Sequence, residues 1–150
     1  MTARISKFTR IGAASLFGMA AISAGTDVNA SDADLFRPLP AEARDLKDLK
    51  WQHRPVLLFA PSENSADYTE QMALFRHSEA ALAERDIVVL SDLDPKNPSL
   101  IRQTFSPNGF KLVLVGKDGG VKLEKDTVLQ PKELFAVIDR MPMRQREMSE

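Results

Sequence analysis

The sequence predicts a single α/β domain in which a four-stranded mixed sheet is flanked by helices. Two observations carry this prediction. Short apolar runs alternate with longer segments of helical periodicity, which is the order of a parallel βαβ unit. Further along, two strand-like segments are separated by the glycine-rich turn 116–120, which indicates a β-hairpin. The chain has 150 residues, of which 43% are hydrophobic, and this suits one globular domain.

The first half of the chain supplies the βαβ unit. Residues 41–50 are predicted to form a short helix, with Trp51 as its anchor in the core. Residues 55–60 (PVLLFA) are apolar throughout, which is typical of a central strand covered on both faces. Residues 66–84 carry apolar side chains at helical spacing. Residues 86–93 read as a second buried strand, so the connection is a right-handed parallel crossover.

The second half supplies the hairpin. Residues 98–105 are predicted to hold one or two helical turns. Residues 110–115 (FKLVLV) and 121–125 are the predicted third and fourth strands. Asp118-Gly119 lies in the turn between them, where glycine accepts the positive φ that a tight turn requires.

The final helix is predicted over residues 131–140, with Pro131 at its first position and Pro142 as its stop. The polar tail 143–150 is expected to fray. The predicted organisation is therefore a lead-in over 31–40, a domain over 41–142 and this tail.

The first 30 residues have the organisation of a secretory signal peptide. A basic segment precedes the uncharged apolar run 11–24, and small residues at 28–30 predict cleavage before Ser31. The apolar run is shorter than the roughly 20 residues that span a bilayer. We therefore expect an exported protein, periplasmic or extracellular, with no membrane span after cleavage. An uncleaved N-terminal anchor is the alternative.

Composition excludes two classes of activity. The chain contains no cysteine, so it cannot perform thiol–disulfide chemistry. Its 20 basic and 21 acidic residues nearly balance, whereas nucleic-acid binding requires a concentrated basic face. We predict no nucleic-acid partner, no cofactor, no catalytic residue and no resident metal.

Three segments carry a family resemblance: residues 51–61 (WQHRPVLLFAP), 116–122 (GKDGGVK) and 138–144 (IDRMPMR). Together they resemble the bacterial exported branch of the P-DUDES family, domain of unknown function 4174, which is similar to thioredoxins and peroxiredoxins. The resemblance spans about residues 35–148. It implies a thioredoxin-like sheet in the order 4-3-1-2, with the third strand antiparallel.

The departures from thioredoxin bear on function. Thioredoxins carry a reactive Cys-x-x-Cys motif after the first central strand, but here that loop is 62–65 (SENS). A serine hydroxyl cannot replace the thiol, because its pKa is too high and it forms no disulfide. Thioredoxins also place a cis-proline before the third strand, where this chain has Phe110 or Lys111. These departures predict a non-catalytic binding or interaction module for an unknown protein or small-molecule ligand in the envelope.

Candidate ligand-binding residues follow the two central strands. Open α/β sheets bind ligands beyond the carboxyl ends of their parallel strands. That edge carries Ser62, Glu63 and Asn64 after the first strand, and Asp92 and Asp94 at the end of the second. Converging carboxylates could make a metal site or a cysteine-free active site. Ordinary capping of loops by aspartate is the simpler interpretation.

A second group of candidates lies near the end of the chain. Arg140, Arg144 and Arg146 indicate salt bridges or a docking patch for an acidic partner, and Met143 is the further docking candidate beside them. Thioether groups also bind copper(I), which makes copper handling a third and weaker hypothesis.

Overall fold

The computed structural model of the protein describes residues 35–150. The predicted signal peptide over 1–30 and its cleavage site before Ser31 lie outside the described residues. Within the described part of the chain, no helix is long and apolar enough to cross a membrane.

Residues 35–150 contain five strands, five α-helices and one short 3-10 helix. The strands are β1 (Phe36–Pro38), β2 (Arg54–Phe59), β3 (Ile87–Asp92), β4 (Lys111–Val115) and β5 (Val121–Lys125). The α-helices are α1 (Ala66–His77), α2 (Glu79–Glu84), α3 (Leu100–Phe105), α4 (Pro131–Asp139) and α5 (Pro142–Ser149), and the 3-10 helix is Lys47–Leu49.

The sheet has the order β1-β3-β2-β4-β5. Strands β1, β3 and β2 are parallel, while β4 runs antiparallel to both β2 and β5. The predicted order 4-3-1-2 corresponds to β5-β4-β2-β3, with the third predicted strand antiparallel, so the predicted α/β class with a mixed sheet is confirmed. The prediction of four strands is wrong, because β1 adds a fifth at the edge.

Strand β1 lies in the segment expected to be a polar lead-in. Phe36 pairs with Val89 of β3, and the flanking Leu35 and Leu39 are buried in the core. Pro38 cannot donate to a ladder, which suits a short strand at an edge of the sheet. The apolar residues were too few and too close to Pro38 and Pro40 to indicate a strand.

The core has two layers, because β2, which is buried throughout, and β4, which is buried except at Lys111, send side chains to both faces of the sheet. On one face, Val56, Leu58 and Leu114 pack with residues of α1, α2 and α4. On the other, Leu57 and Val113 pack with residues of α3 and the 3-10 helix. The layers fix both ends of the sheet, where the candidate residues lie.

The helix predicted over 41–50 is wrong, because the structure has only the 3-10 turn there. Trp51 is not a core anchor either: it is 60% exposed, with a φ of 68°. The backbone N–H of Trp51 donates to the carbonyl oxygen of Lys117 at 2.7 Å, and the ammonium of Lys50 lies 5.2 Å from the centroid of the Trp51 ring. The backbone of Trp51 is therefore bonded to the hairpin while most of its side chain is in solvent.

Two further predictions are corrected at the helices. The helix predicted over 66–84 is interrupted at Ser78, whose ψ of 20° lies outside the helical range. The tail expected to fray is the helix α5. Pro142, predicted only to stop the preceding helix, is the first residue of α5. Proline suits this position because the N–H that it lacks would have no partner within the helix.

Gln71 ties α1 to the segment before α4. This fully buried amide donates to the carbonyl oxygen of Leu129 at 2.9 Å and accepts from the Leu129 N–H at 2.8 Å. Replacing Gln71 by leucine leaves both backbone groups buried without partners. We expect the free energy of unfolding to fall by about 2–4 kcal/mol in urea titration. The same substitution at the exposed Gln103 should change it by less than about 0.5 kcal/mol; equal effects would contradict this role.

Candidate functional site

The loop 62–65 lies at the carboxyl end of β2, the place where thioredoxins keep their reactive thiols. Ser62, Glu63 and Asn64 are exposed. The N–H of Asn64 donates to Ser62 Oγ at 3.3 Å, and the N–H of Ser65 donates to the Ser62 carbonyl oxygen at 3.2 Å. The loop therefore presents hydroxyl, amide and carboxylate groups to solvent, and none of these is a thiol nucleophile.

Asp92 ends β3 and is held in a buried ion pair. Its Oδ1 lies 2.7 Å from Nη1 of Arg102, and its Oδ2 accepts from Ser99 Oγ at 3.3 Å. Asp92 is 7% exposed and Arg102 is 6% exposed. The same guanidinium donates to the carbonyl oxygen of Ala60 at 3.3 Å, so it joins the carboxyl ends of β2 and β3. Asp92 is thus already bound within the fold.

Asp94 is exposed and caps its own loop. Its carboxylate accepts from Asn97 Nδ2 at 2.8 Å and from the Lys96 N–H at 3.1 Å. The bond from Asn97 is the main reason that the pKa of Asp94 is lowered, with the Lys96 N–H second. The ordinary capping interpretation therefore accounts for this residue.

The candidate carboxylates do not all meet. A cavity of about 470 Å³ at this edge is lined by Asp92 and Asp94, together with Tyr68 of α1 and residues of β1. Glu63 is not part of its lining. Across residues 35–150, no group of three or more His, Cys, Asp or Glu side chains is placed to hold a metal ion.

The other end of the sheet, where β2 begins, carries an ion-pair network centred on Glu147 of α5. The Glu147 carboxylate accepts hydrogen bonds from both terminal guanidinium nitrogens of Arg54, at 3.1 and 3.2 Å, and from Lys117 Nζ at 2.7 Å. Arg54 begins β2 and is 1% exposed. Lys117 also pairs with Asp86 at 2.7 Å. These contacts join α5 to the first residue of β2 and to the hairpin turn.

The three predicted docking residues take different positions. Arg144 is 5% exposed, and its guanidinium pairs with Glu84 at 2.8 Å and with Asp139 at 3.4 Å. The salt-bridge interpretation therefore describes Arg144. Arg140 is exposed and Met143 is half-buried, and both line a second cavity.

This second cavity, here called the basic cavity, has a volume of about 520 Å³. It lies between the β4–β5 turn and helices α4 and α5. Its lining comprises Arg54, Gly116, Lys117, Asp118, Lys122, Val137, Arg140, Met141, Pro142, Met143 and Arg146. All three segments that carry the family resemblance contribute to it, so they meet at the end of the sheet opposite the loop 62–65.

The hairpin turn shapes one wall of the basic cavity. Gly119 has a φ of 84°, which confirms the positive φ expected at this turn, and its N–H donates to the carbonyl oxygen of Gly116 at 3.0 Å. Asp118 accepts from the Gly120 N–H and from Lys122 Nζ. The turn therefore places Lys117 and Lys122 on the cavity wall.

Sequence reasoning missed Arg54, Arg102 and Glu147. Arg54 carried a usable signal, because a charged residue directly before a fully apolar strand must be paired if it is buried. Arg102 and Glu147 lie in short helical segments, and arginine and glutamate are mostly surface residues.

Comparison with known proteins agrees with this architecture. Residues 45–147 match the family described as a domain of unknown function, DUF4174. Among solved structures, reduced desulfothioredoxin from Desulfovibrio vulgaris Hildenborough is similar at 14% identity, over 73% of this chain and 100% of that chain, with a TM-score of 0.52. Reduced 2-Cys peroxiredoxin from Plasmodium vivax is similar at 13% identity, over 70% of this chain and 85% of that chain, with a TM-score of 0.51.

At these identities the two structures show the fold alone. The family match covers residues 45–147 and thus more than half of the chain. The protein therefore belongs to the DUF4174 family, and it has a thioredoxin-like α/β fold without cysteine.

Proposed function

We propose that the protein is a non-catalytic binding or interaction module on a thioredoxin-like scaffold. One observation carries the proposal. At the edge where this fold otherwise keeps its reactive group, Ser62, Glu63 and Asn64 stand in place of a thiol, and Asp92 is bound by Arg102. Neither a thiol nor a free buried Asp92 carboxylate is left there to perform chemistry.

We further propose that the protein is an exported member of the P-DUDES branch and works in the periplasm or outside the cell. The organisation of residues 1–30 as a signal peptide supports export. An unknown protein or small molecule of the envelope would be its partner. Arg140 and Met143 are the proposed docking residues, with Arg144 holding α5 in place through its ion pairs.

A cysteine-free enzyme or metal-binding protein is the second candidate. The cavity of about 470 Å³ beside Asp92 and Asp94 favours it, since these carboxylates share one concave surface. It ranks second because Asp92 already has Arg102 and Ser99 as partners and Glu63 is not in that cavity.

The absence of thiol turnover can be measured directly. The purified protein should reduce insulin disulfides in the presence of dithiothreitol at the rate of a protein-free control, and should not accelerate the loss of hydrogen peroxide. A thioredoxin and a peroxiredoxin serve as positive controls. Turnover above the protein-free rate that persists after complete removal of other thiol proteins would contradict the proposal.

Docking at the basic cavity can be tested by site-specific crosslinking. A photo-crosslinking amino acid in place of Met143 should capture a discrete species in the envelope fraction. Met148 is the matched control, because it is 52% exposed but is not part of the cavity lining. Equal capture at both positions, or no capture at Met143, would contradict docking at this cavity.

A further inference from the structure

The charge of the basic cavity is not fully compensated. Five cationic side chains line it against one carboxylate: Arg54, Lys117, Lys122, Arg140 and Arg146 against Asp118. Asp118 pairs with Lys122, while Glu147, beside the cavity, pairs with Arg54 and Lys117. Arg140 and Arg146 form no ion pair within residues 35–150. The cavity therefore keeps an excess of positive charge at these two arginines.

These two arginines keep most of their hydrogen-bond donors free for a ligand. Nε of Arg140 donates to the carbonyl oxygen of Ala136 at 2.8 Å, and Nε of Arg146 donates to that of Pro142 at 3.4 Å. These bonds orient the side chains along α4 and α5 and leave their terminal nitrogens without protein partners among residues 35–150. Paired terminal nitrogens of arginine match the two oxygens of a carboxylate.

Arg54, which lines the same cavity, has one buried donor without a partner in residues 35–150. Nε of Arg54 is buried and has no hydrogen-bond partner among the described residues, although the two terminal nitrogens of this side chain are bonded to Glu147 and to the Arg85 carbonyl oxygen. An unpaired buried N–H costs free energy that a ligand oxygen could recover. In addition, no side chain caps the first turn of α5, which begins in the cavity wall at Pro142.

The remaining wall is apolar. Val137, Met141 and Met143 line the cavity beside the arginines, and each is half-buried. Methionine side chains are flexible and adapt to apolar groups of different shape. The cavity therefore joins the two arginines to an adaptable apolar surface.

We propose that the basic cavity binds an extended acidic peptide segment of a partner protein, with a carboxylate side chain on Arg140 and Arg146 and a neighbouring apolar side chain on the methionines. This inference rests on the proposed binding function and gives it a site and a ligand class. Two uncompensated arginines are too few for a nucleic acid, which engages many phosphates, or for an anionic membrane, which is bound by clusters of about 4–8 basic residues.

Fluorescence anisotropy of the purified protein tests the proposal. The probe is a labelled peptide of alternating glutamate and leucine with an amidated carboxyl end, and the matched probe has glutamine in place of glutamate. The glutamate peptide should bind saturably and more weakly as salt is raised. Arg140→Gln and Arg146→Gln should each weaken binding by about tenfold, and the double variant by about a hundredfold. Arg44→Gln, an exposed arginine outside the cavity, should leave it within about twofold.

Several results would overturn the inference. They are no saturable binding of the glutamate peptide, equal binding of the glutamine peptide, and unchanged affinity in the double variant. Displacement of the peptide by inorganic phosphate or by phosphatidylglycerol vesicles, at concentrations below those of unlabelled peptide, would reassign the cavity to a free anion or a membrane. None of these results affects the measurement of thiol turnover, so peptide binding at the basic cavity can be disproved while the proposed non-catalytic function stands.

Discussion

Replacing Asp92 by alanine is expected to lower the free energy of unfolding by about 3–5 kcal/mol. The reason is that the substitution leaves the Arg102 guanidinium without its counter-ion. Arg102 is 6% exposed and would keep its guanidinium in a site that excludes water, with the carbonyl oxygens of Ala60 and Asp92 as its remaining acceptors. Urea titration of the purified variant measures the effect.

A second substitution separates the cost of the buried charge from lost packing. In the double variant Asp92→Ala/Arg102→Met, the unpaired cation is replaced by an apolar chain of similar length, so most of the stability should return. Asp94→Ala is the control, because Asp94 is exposed and caps only its own loop, and it should cost less than about 1 kcal/mol. If the double variant is no more stable than Asp92→Ala, the buried charge is not the cause.

This result also bears on function. A carboxylate that serves a metal or a substrate is often dispensable for folding, and its removal commonly costs little stability. A large loss at Asp92 that Arg102→Met reverses would identify the pair as a structural element joining β2 and β3. Of the candidate carboxylates at this end of the sheet, only the exposed Glu63 and Asp94 would then remain outside the buried framework.

The central elements of the fold were predictable because each has a strong local pattern. The run at 55–60 is apolar throughout and that at 110–115 is apolar except for Lys111, and short runs of this kind are typical of strands covered on both faces. Gly119 marked the hairpin through its backbone conformation. The edge strand β1 and the helix α5 have no such pattern, because they are stabilised by tertiary contacts made by few residues.

The ion pairs at the two ends of the sheet were less predictable, because each joins residues of separate elements. Arg54 and Glu147 are 93 residues apart in sequence, and nothing local to either residue indicates the other. Arg102 lies ten residues from Asp92 but reaches it across the β3–α3 loop. Sequence patterns report periodicity and turn chemistry, whereas ion pairs of this kind depend on how separate elements are placed.

Replacing Glu147 by alanine is the second change with a large expected effect, also about 3–5 kcal/mol in the free energy of unfolding. This carboxylate is the shared partner of Arg54 and Lys117, which are 1% and 10% exposed at their side chains. Its loss would leave a buried guanidinium without a counter-ion and release α5 from β2. Hydrogen exchange should show faster exchange of the α5 amides, and Glu133→Ala, at an exposed position of α4, should leave them unchanged.

The contribution of Glu147 to the free energy of unfolding should decrease as pH is lowered. Burial raises the pKa of this carboxyl, but the hydrogen bonds from Arg54 and Lys117 outweigh burial, so its pKa is lowered from 4.5. The pKa of Asp139 is lowered as well, mainly by the hydrogen bond from Arg85. A carboxyl with a lower pKa in the folded state stabilises the protein fully above its unfolded pKa, and this stabilisation is lost as pH falls through the folded value.

The difference in unfolding free energy between the wild type and Glu147→Gln should therefore be constant above about pH 6 and should shrink as pH falls below about 4.5. Glutamine keeps the size of the side chain but cannot titrate, so the shrinking difference isolates the ionised carboxylate from packing. Urea titrations at a series of pH values measure it. A difference that stays constant through this range would mean that α5 is held by packing and hydrogen bonds alone, and that Arg54 is tolerated in the core without its counter-ion.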